Sequence, residues 1–415
     1  MTVDEASAHE GRLPAFEVFD QGFKTDPYPW YRKLREAAPI HRVRMTLGAD
    51  VWLVTGYELA KSVLADGRFS KMTVNAERAW RSLELIPDDP DALVNRMLLM
   101  SDPPDHERLR RLVSRAFTAR SMEAMRPRIA EVADELVARF AGRGRVDLIR
   151  EFAFPLPAMI ICDLLGVPAE HRTRFEEYLR LLCLAEPEDV HRMPAVFAEL
   201  TAELAELVER KRAEPDEYLL SALVGIRDGS DRLSDDELVS MAFQLMYGAQ
   251  DTTVNLIGNG MLALLDNPAA MAELRENPEL IPGAVEEILR FDPPVETATP
   301  RYALEPLDVG GMRVEKGGVV LVSLASASRD PGQFEDPDVF DIHREVRGQL
   351  AFGHGLHYCL GAVMARVKGE VALRALLCGL DDLRPDEGAE PLARHSGFIM
   401  RGLKALPVRF TPRAA

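Results

Sequence analysis

Residues Phe352-Gly353-His354-Gly355-Leu356-His357-Tyr358-Cys359-Leu360-Gly361 constrain this chain more than any other segment. One cysteine sits in a glycine-rich loop, directly before an apolar helical stretch. A thiolate at that place gains from the positive end of the helix dipole and from free backbone N–H groups. The glycines let the backbone turn sharply and lie close against a flat partner. These are the physical requirements of a cysteine that holds one large planar metal cofactor from one side. Six fixed positions in the pattern F-G-x-G-x-H-x-C-x-G arise by chance in a chain of this length on the order of once in 10^5 sequences or less.

The chain has 415 residues, 47% of them hydrophobic, enough to enclose such a group in a large core. Length alone suggests about two or three domains; one cofactor-enclosing unit spanning 1–415 overrides that expectation. Met1–Glu10 is polar and acidic, with no apolar stretch and no twin arginine of a secretory signal. No run of about 18 apolar residues occurs. The expectation is a cytoplasmic protein with no membrane partner, a monomer by default. A net charge of −17 disfavours nucleic acid and anionic surfaces as partners. The four cysteines, Cys162, Cys183, Cys359 and Cys378, form no C-x-x-C or C-x-x-C-H pattern. That argues against a zinc ribbon, a thioredoxin-like site and covalently attached haem. Cys162 and Cys183 stand in apolar helical surroundings and read as buried small hydrophobes.

Periodicity and breakers predict a mostly helical chain. Residues 1–25 read as a loose arm, followed by a helix from Asp26-Pro27 to about Ala37 and strands at Ile40–Met45 and Val51–Thr55. Residues 71–100, with Pro87 and Pro90, read as a long irregular connection of the kind that is usually functional. Helices are expected over 107–117, 122–140, 153–165, within 172–183 and within 194–212. Ser234-Asp235-Asp236-Glu237 is a capping box that opens a helix running to about Asn267, roughly 50 Å long. Another helix starts near Pro282 and ends before Pro293-Pro294. Residues 300–325 turn β-like, with Gly310-Gly311 and Gly317-Gly318 as hairpin turns. A proline- and glycine-punctuated meander covers 331–350, a helix runs from Cys359 to about Leu380, and 398–410 is strand-like.

The cysteine-loop pattern matches the haem-binding signature of the cytochromes P450, and the chain resembles the soluble bacterial members of that family over nearly its whole length. The resemblance implies a mainly α fold with a minor β part (about 40–56, 295–325 and 390–412), a long central helix over a buried haem b (iron protoporphyrin IX). Cys359 is then the axial ligand, whose thiolate pushes electron density onto iron and favours O–O cleavage. Gly353, Gly355 and Gly361 serve the loop geometry. Phe352 packs near the sulfur and limits water access, and His357 bonds a haem propionate. Asp102–Arg110 resembles the segment on the proximal haem side. There His106 and Arg110, four apart on one helix face, bind propionate, with Arg301 as a third cation. Glu287-Ile288-Leu289-Arg290 matches the family's E-x-x-R. That buried pair, costly unless its remaining hydrogen bonds are satisfied, anchors the meander. Many relatives have arginine in D-P-D-R-F there; this chain has Asp336-Pro337-Asp338-Val339-Phe340. Val339 cannot complete an ionic triad, which leaves His343 or Arg344 as the substitute.

The long helix carries Tyr247-Gly248-Ala249-Gln250-Asp251-Thr252-Thr253. A threonine bonding back to the i−4 carbonyl distorts a helix, and the family uses such a distortion as an oxygen-binding groove. Asp251 and Thr252 then relay protons to dioxygen. Gly248 and Ala249 are exchanged relative to the common A-G-x-[DE]-T-[TS] pattern, and the added methyl of Ala249 is expected to narrow the groove. The resemblance places the substrate against the 71–100 loop, Gln244–Ala249, Val295–Thr299 and Phe398–Met400. Val295, Phe398 and Ile399 give a largely hydrophobic pocket, and Gln244, Glu296 and Thr297 a few polar contacts. Arg108, Arg111, Arg115 and Arg366 near the proximal side form a basic patch suited to an acidic ferredoxin.

The implied activity is monooxygenation: one oxygen atom of dioxygen enters an organic substrate. No flavin or iron–sulfur module is present in the sequence, so electrons come from ferredoxin and ferredoxin reductase, with NAD(P)H as ultimate donor. A peroxide-driven peroxygenase and a catalytically silent haem-binding protein are the alternatives. General resemblance to actinobacterial tailoring enzymes points to secondary metabolism, by hydroxylation or epoxidation.

Overall fold

The computed structural model describes residues 19–85, 89, 92–184 and 191–412. It is mainly helical with a small β part. The capping box forms: the Ser234 hydroxyl accepts from Glu237 N at 3.2 Å, and the Glu237 carboxylate accepts from Ser234 N at 2.8 Å. It opens the 32-residue helix Asp235–Asp266, which ends before Pro268. Most of that helix is buried, because Pro155–Leu165, Met193–Ala213 and Ala362–Gly379 all pack against it. Gly258 permits one such approach: a Cβ there would stand 2.7 Å from Cδ1 of Ile149. The helix Ile281–Phe291 completes this main core beside the C-terminal helix Ala362–Gly379.

The β part flanks the helices. Five strands lie in the spatial order Ile40–Arg44, Asp50–Val54, Val319–Val322, Arg301–Ala303 and Phe69–Ser70. Trp52 pairs with Val320 in parallel, while the other ladders are antiparallel. Val319–Val322 is buried at every residue, as expected of a central strand covered on both faces. One hydrophobic cluster forms on each side, one holding Tyr31, Leu53 and Leu321, the other Ile40, Val54 and Val322.

Several local expectations change. Of the loose arm, residues 1–18 lie outside the described residues, as do Pro87 and Pro90. Gln21–Thr25 is a short helix capped by Asp20, with Phe23 and Lys24 buried. The single helix expected over 122–140 divides into Ala119–Glu123 and Arg126–Phe140. Pro127 lacks an N–H and suits a first turn, so it restarts the helix. Gly310-Gly311 closes the hairpin Leu307–Val314. Gly317-Gly318 does not close a second one, because Val319–Val322 pairs with strands elsewhere. The connection over 71–100 contains short helical turns, and its Trp80 is buried. Among the described residues no helix is long and apolar enough to cross a membrane.

Candidate active site

The cysteine loop holds itself with backbone bonds. Gly353 N donates to the Leu350 carbonyl at 2.8 Å, and Cys359 N to the Phe352 carbonyl at 2.9 Å. Gly355 has φ +72°, and a Cβ there would stand 2.9 Å from Cα of Ala65, so only glycine suits the position. A Cβ on Gly361 would meet nothing closer than Cys359 Sγ at 3.9 Å, and one on Gly353 only the His357 carbonyl at 3.7 Å. The backbone around the sulfur is therefore bare enough for a flat group to approach. Burial pushes the Cys359 thiol pKa up, while the Gly361 amide, Arg110 and Arg366 pull it down. Phe352 is buried under the Arg366 guanidinium, 4.4 Å from its ring centre, and Glu286 Oε1 accepts from Arg366 Nε at 2.5 Å.

Beside the loop the chain gathers positive charge. His106 is 1% exposed, and neither of its ring nitrogens has a hydrogen-bond partner among the described residues. Its ring lies 4.3 Å from that of His357. Burial and then Arg110 lower the His106 pKa. His357 is lowered further, first by burial and then by Lys71, His106, Arg301 and Arg110. Arg301 is 5% exposed and donates to the Thr299 carbonyl at 3.3 Å. Burial brings its pKa down to about 10. Buried Lys71 donates to Thr299 Oγ1 at 2.5 Å and to the Thr299 and Pro300 carbonyls at 2.9 and 2.7 Å. Among the described residues no carboxylate forms an ion pair with Lys71, Arg110 or Arg301. Buried charge of one sign is costly without a counter-charge. This donor set fits the two carboxylates of haem b, and the bare loop fits its plane. Sequence reasoning missed Lys71. Its only signal there is rarity, one of eight lysines in the chain.

On the long helix the acid and alcohol take distinct places. Asp251 Oδ1 accepts from Asn255 Nδ2 at 3.1 Å, and burial raises the Asp251 pKa to about 6 despite that bond. Thr252 Oγ1 donates to the Gly248 carbonyl at 2.6 Å, and Thr253 Oγ1 to that of Ala249 at 2.8 Å. Both threonines bond back, yet the helix continues unbroken. A Cβ on Gly248 would meet nothing within 4 Å, whereas Ala249 packs on the main core. The exchange of the two thus leaves the glycine on the face of Thr252 and sets the partly buried Ala249 against the edge of the core.

Glu287 and Arg290 are fully buried and bidentate, Nε to Oε2 and Nη2 to Oε1, both at 2.7 Å. Arg290 also donates to the carbonyls of Ser328, Pro337 and Val339. Arg344 takes the third place, with Nε 3.4 Å from Glu287 Oε1 and further bonds to the Glu335 and Asp336 carbonyls. His343 instead faces Glu273, at 3.0 Å.

The expected pocket polar groups each have a protein partner. Gln244 Oε1 accepts from Leu99 N at 3.1 Å, and Thr297 Oγ1 donates to the Phe398 carbonyl at 2.7 Å. Glu296 is fully buried against Lys24 and Tyr31. Val295 and Met400 form a bridge, and Glu296 N donates to the Ile399 carbonyl at 2.7 Å, so the two wall segments are zipped together. Phe398 packs edge-on against Trp80. The expected basic patch is largely neutralised. Arg108 pairs with Asp231 and Glu237, and Arg111 and Arg115 with Asp228.

Residues 174–401 match the family model described as cytochrome P450. The chain is 45% identical over 394 residues to the cytochrome P450 monooxygenase PikC of Streptomyces venezuelae, covering 94% of this chain and 92% of that protein. It is 41% identical to the 6-deoxyerythronolide B hydroxylase of Saccharopolyspora erythraea, covering 95% and 98%. The ligand-free structure of the P450 monooxygenase TamI superposes with a TM-score of 0.87 at 40% identity, over 97% of this chain and 96% of that one. A half-buried thiol on a bare glycine loop, a cation cluster suited to two carboxylates and an acid–alcohol pair on the long helix thus stand in a chain that belongs to the cytochrome P450 family.

Proposed function

We propose that this P450 monooxygenase inserts one oxygen atom of dioxygen into a mostly hydrophobic small molecule of secondary metabolism, by hydroxylation or epoxidation. Electrons come from a ferredoxin and its reductase, with NAD(P)H as ultimate donor. When bound to a thiolate, haem b supplies the activation of dioxygen. Cys359 would present its sulfur from the loop, and His106, Arg110, Arg301 and His357 would hold the two carboxylates, with Lys71, whose three donors are taken by Thr299 and Pro300, adding only its charge nearby. Phe352 and the Arg366 above it keep water from the sulfur. Glu287, Arg290 and Arg344 fix the meander that leads into the loop.

One observation carries dioxygen chemistry over a peroxide-driven reaction or a silent haem carrier. Burial raises the Asp251 pKa to about 6, which keeps a proton within reach near neutral pH, and Thr252 stands beside it on the bare Gly248 face. Asp251 holds that proton at its carboxyl and Thr252 Oγ1 passes it on. Hydrogen peroxide carries two protons along with its electrons and oxygen atoms and needs no net proton uptake, whereas the dioxygen route consumes two protons that must be delivered through the protein. The substrate class rests on similarity to PikC and to a hydroxylase named for 6-deoxyerythronolide B, and on the apolar Val295, Phe398 and Ile399.

The test compares turnover with ferredoxin, reductase and NADPH against turnover with hydrogen peroxide alone, for the parent and Thr252→Ala. Product is expected with the electron-transfer proteins. In the variant, NADPH consumption should continue while product per NADPH falls about tenfold. Equal product yields in the two proteins would remove the relay. Product with peroxide alone would favour the peroxygenase.

A further inference from the structure

Lys24 and Glu296 are each 0% exposed, 272 residues apart, and joined at 2.5 Å. The same ammonium donates to the Met400 carbonyl at 2.8 Å. Tyr31 donates its hydroxyl to the other oxygen of Glu296 at 2.9 Å, and Arg401 Nη1 donates to the Lys24 carbonyl at 2.8 Å. Glu296 lies at a bend between the bridge residues Val295 and Thr297, and its carboxylate is turned to Lys24 and Tyr31 of the N-terminal segment. Lys24 therefore grips both wall segments. It holds one through the Glu296 carboxylate and the other through the carbonyl that follows Ile399. Phe19, from the same N-terminal segment, lies 6.2 Å from the ring of Phe398.

Stability alone does not account for this contact. Removing two charges from water offsets much of their attraction, and a buried pair is often no better than apolar residues of equal volume. An apolar contact, however, is non-directional. A single cation shared between a carboxylate and a carbonyl of the facing segment adds a directional tie to the backbone bridge that sets their register.

We propose that Lys24 is a positioning residue for the oxidation. By joining Glu296 to the Met400 carbonyl it braces the backbone bonds that zip the two segments together, keeps Val295, Thr297, Phe398 and Ile399 from shifting under load, and hence limits the shape of bulky molecule the site accepts. This rests on the reading that those four residues face the substrate.

The test uses the haem-loaded full chain and two azoles titrated by difference spectroscopy. Imidazole and clotrimazole both bind iron through a ring nitrogen, but only clotrimazole is large enough to press on the walls. The variant is Lys24→Met combined with Glu296→Gln, which removes both charges together; Val295→Ala and Ile399→Ala serve as wall controls. The clotrimazole Kd is expected to rise about tenfold in the double variant, with imidazole within about twofold of the parent. Unchanged clotrimazole affinity while the wall controls weaken it overturns the role of Lys24. So does an equal loss for both azoles, which marks a general loosening. If neither wall control alters clotrimazole binding, the reading of the walls fails and the proposal falls with it. Should the double variant not accumulate, Glu296→Gln alone is expected to raise the clotrimazole Kd about threefold, and no change in it overturns the proposal.

Discussion

Replacing Glu287 with glutamine keeps its volume and takes away its charge. Arg290 is 0% exposed and gives five hydrogen bonds, two to Glu287 at 2.7 Å and three to carbonyls at 2.7–3.1 Å. In the variant an amide nitrogen meets the guanidinium where an oxygen stood, so donor faces donor and the buried cation lacks its anion. Removing one partner of a buried pair costs about 3–5 kcal/mol, out of a total stability of about 5–15 kcal/mol for a typical protein. Arg344→Ala leaves that pair whole. It removes a 3.4 Å contact to Glu287 and bonds to three carbonyls, those of Glu335, Asp336 and Val339, from a side chain that is 13% exposed. Its cost is about 1–2 kcal/mol, in the range of one or two modest hydrogen bonds. Guanidinium denaturation of the haem-loaded proteins, followed by far-UV circular dichroism at fixed pH, measures both. The reduced, carbon-monoxide-treated proteins report the sulfur–iron bond independently, and its red-displaced Soret band should weaken in Glu287→Gln. A cost below about 1 kcal/mol for Glu287→Gln, or a larger one for Arg344→Ala, would refute the anchoring role assigned to the pair.

Three further outcomes are expected. The Asp251 carboxyl is raised to about 6, so its contribution to folding is complete below the ordinary carboxylate value and is lost as pH rises through about 6; product per NADPH should fall over the same range, and Asp251→Asn should flatten both profiles. Gly355→Ala forces a Cβ to 2.9 Å from the Ala65 backbone at φ +72°, which should cost about 2 kcal/mol or more and show as a lowered melting temperature. His106→Ala removes a ring whose nitrogens have no partner among the described residues, and haem transfer from the variant to apomyoglobin should quicken about tenfold, the equivalent of one charge-assisted hydrogen bond.

What the sequence disclosed was local. The cysteine loop, the capping box at Ser234 and the E-x-x-R spacing each lie within ten residues, so their chemistry is written contiguously. What it concealed was long-range. Lys24 and Lys71 belong to a residue type that normally stays in water, and nothing beside them announces Glu296 or the Thr299 carbonyl. Arg108, Arg111 and Arg115 read as a free basic face because their acids, Asp228, Asp231 and Glu237, come more than 110 residues later. The choice between His343 and Arg344 needed the meander's path, which periodicity does not describe. Glu296 read as a polar contact for substrate because its partners, Lys24 and Tyr31, stand more than 260 residues earlier in the chain.

The parallel pairing of Asp50–Val54 with Val319–Val322 reaches beyond architecture into synthesis. A strand made early has its neighbour delivered roughly 15–55 s later at ordinary ribosomal speeds. Through that interval Trp52, Leu53 and Val54 have an open ladder edge and apolar side chains ready to pair with other chains. Expression at low temperature or with added chaperones should therefore raise the yield of native protein chiefly by shielding the first fifty-odd residues while translation catches up.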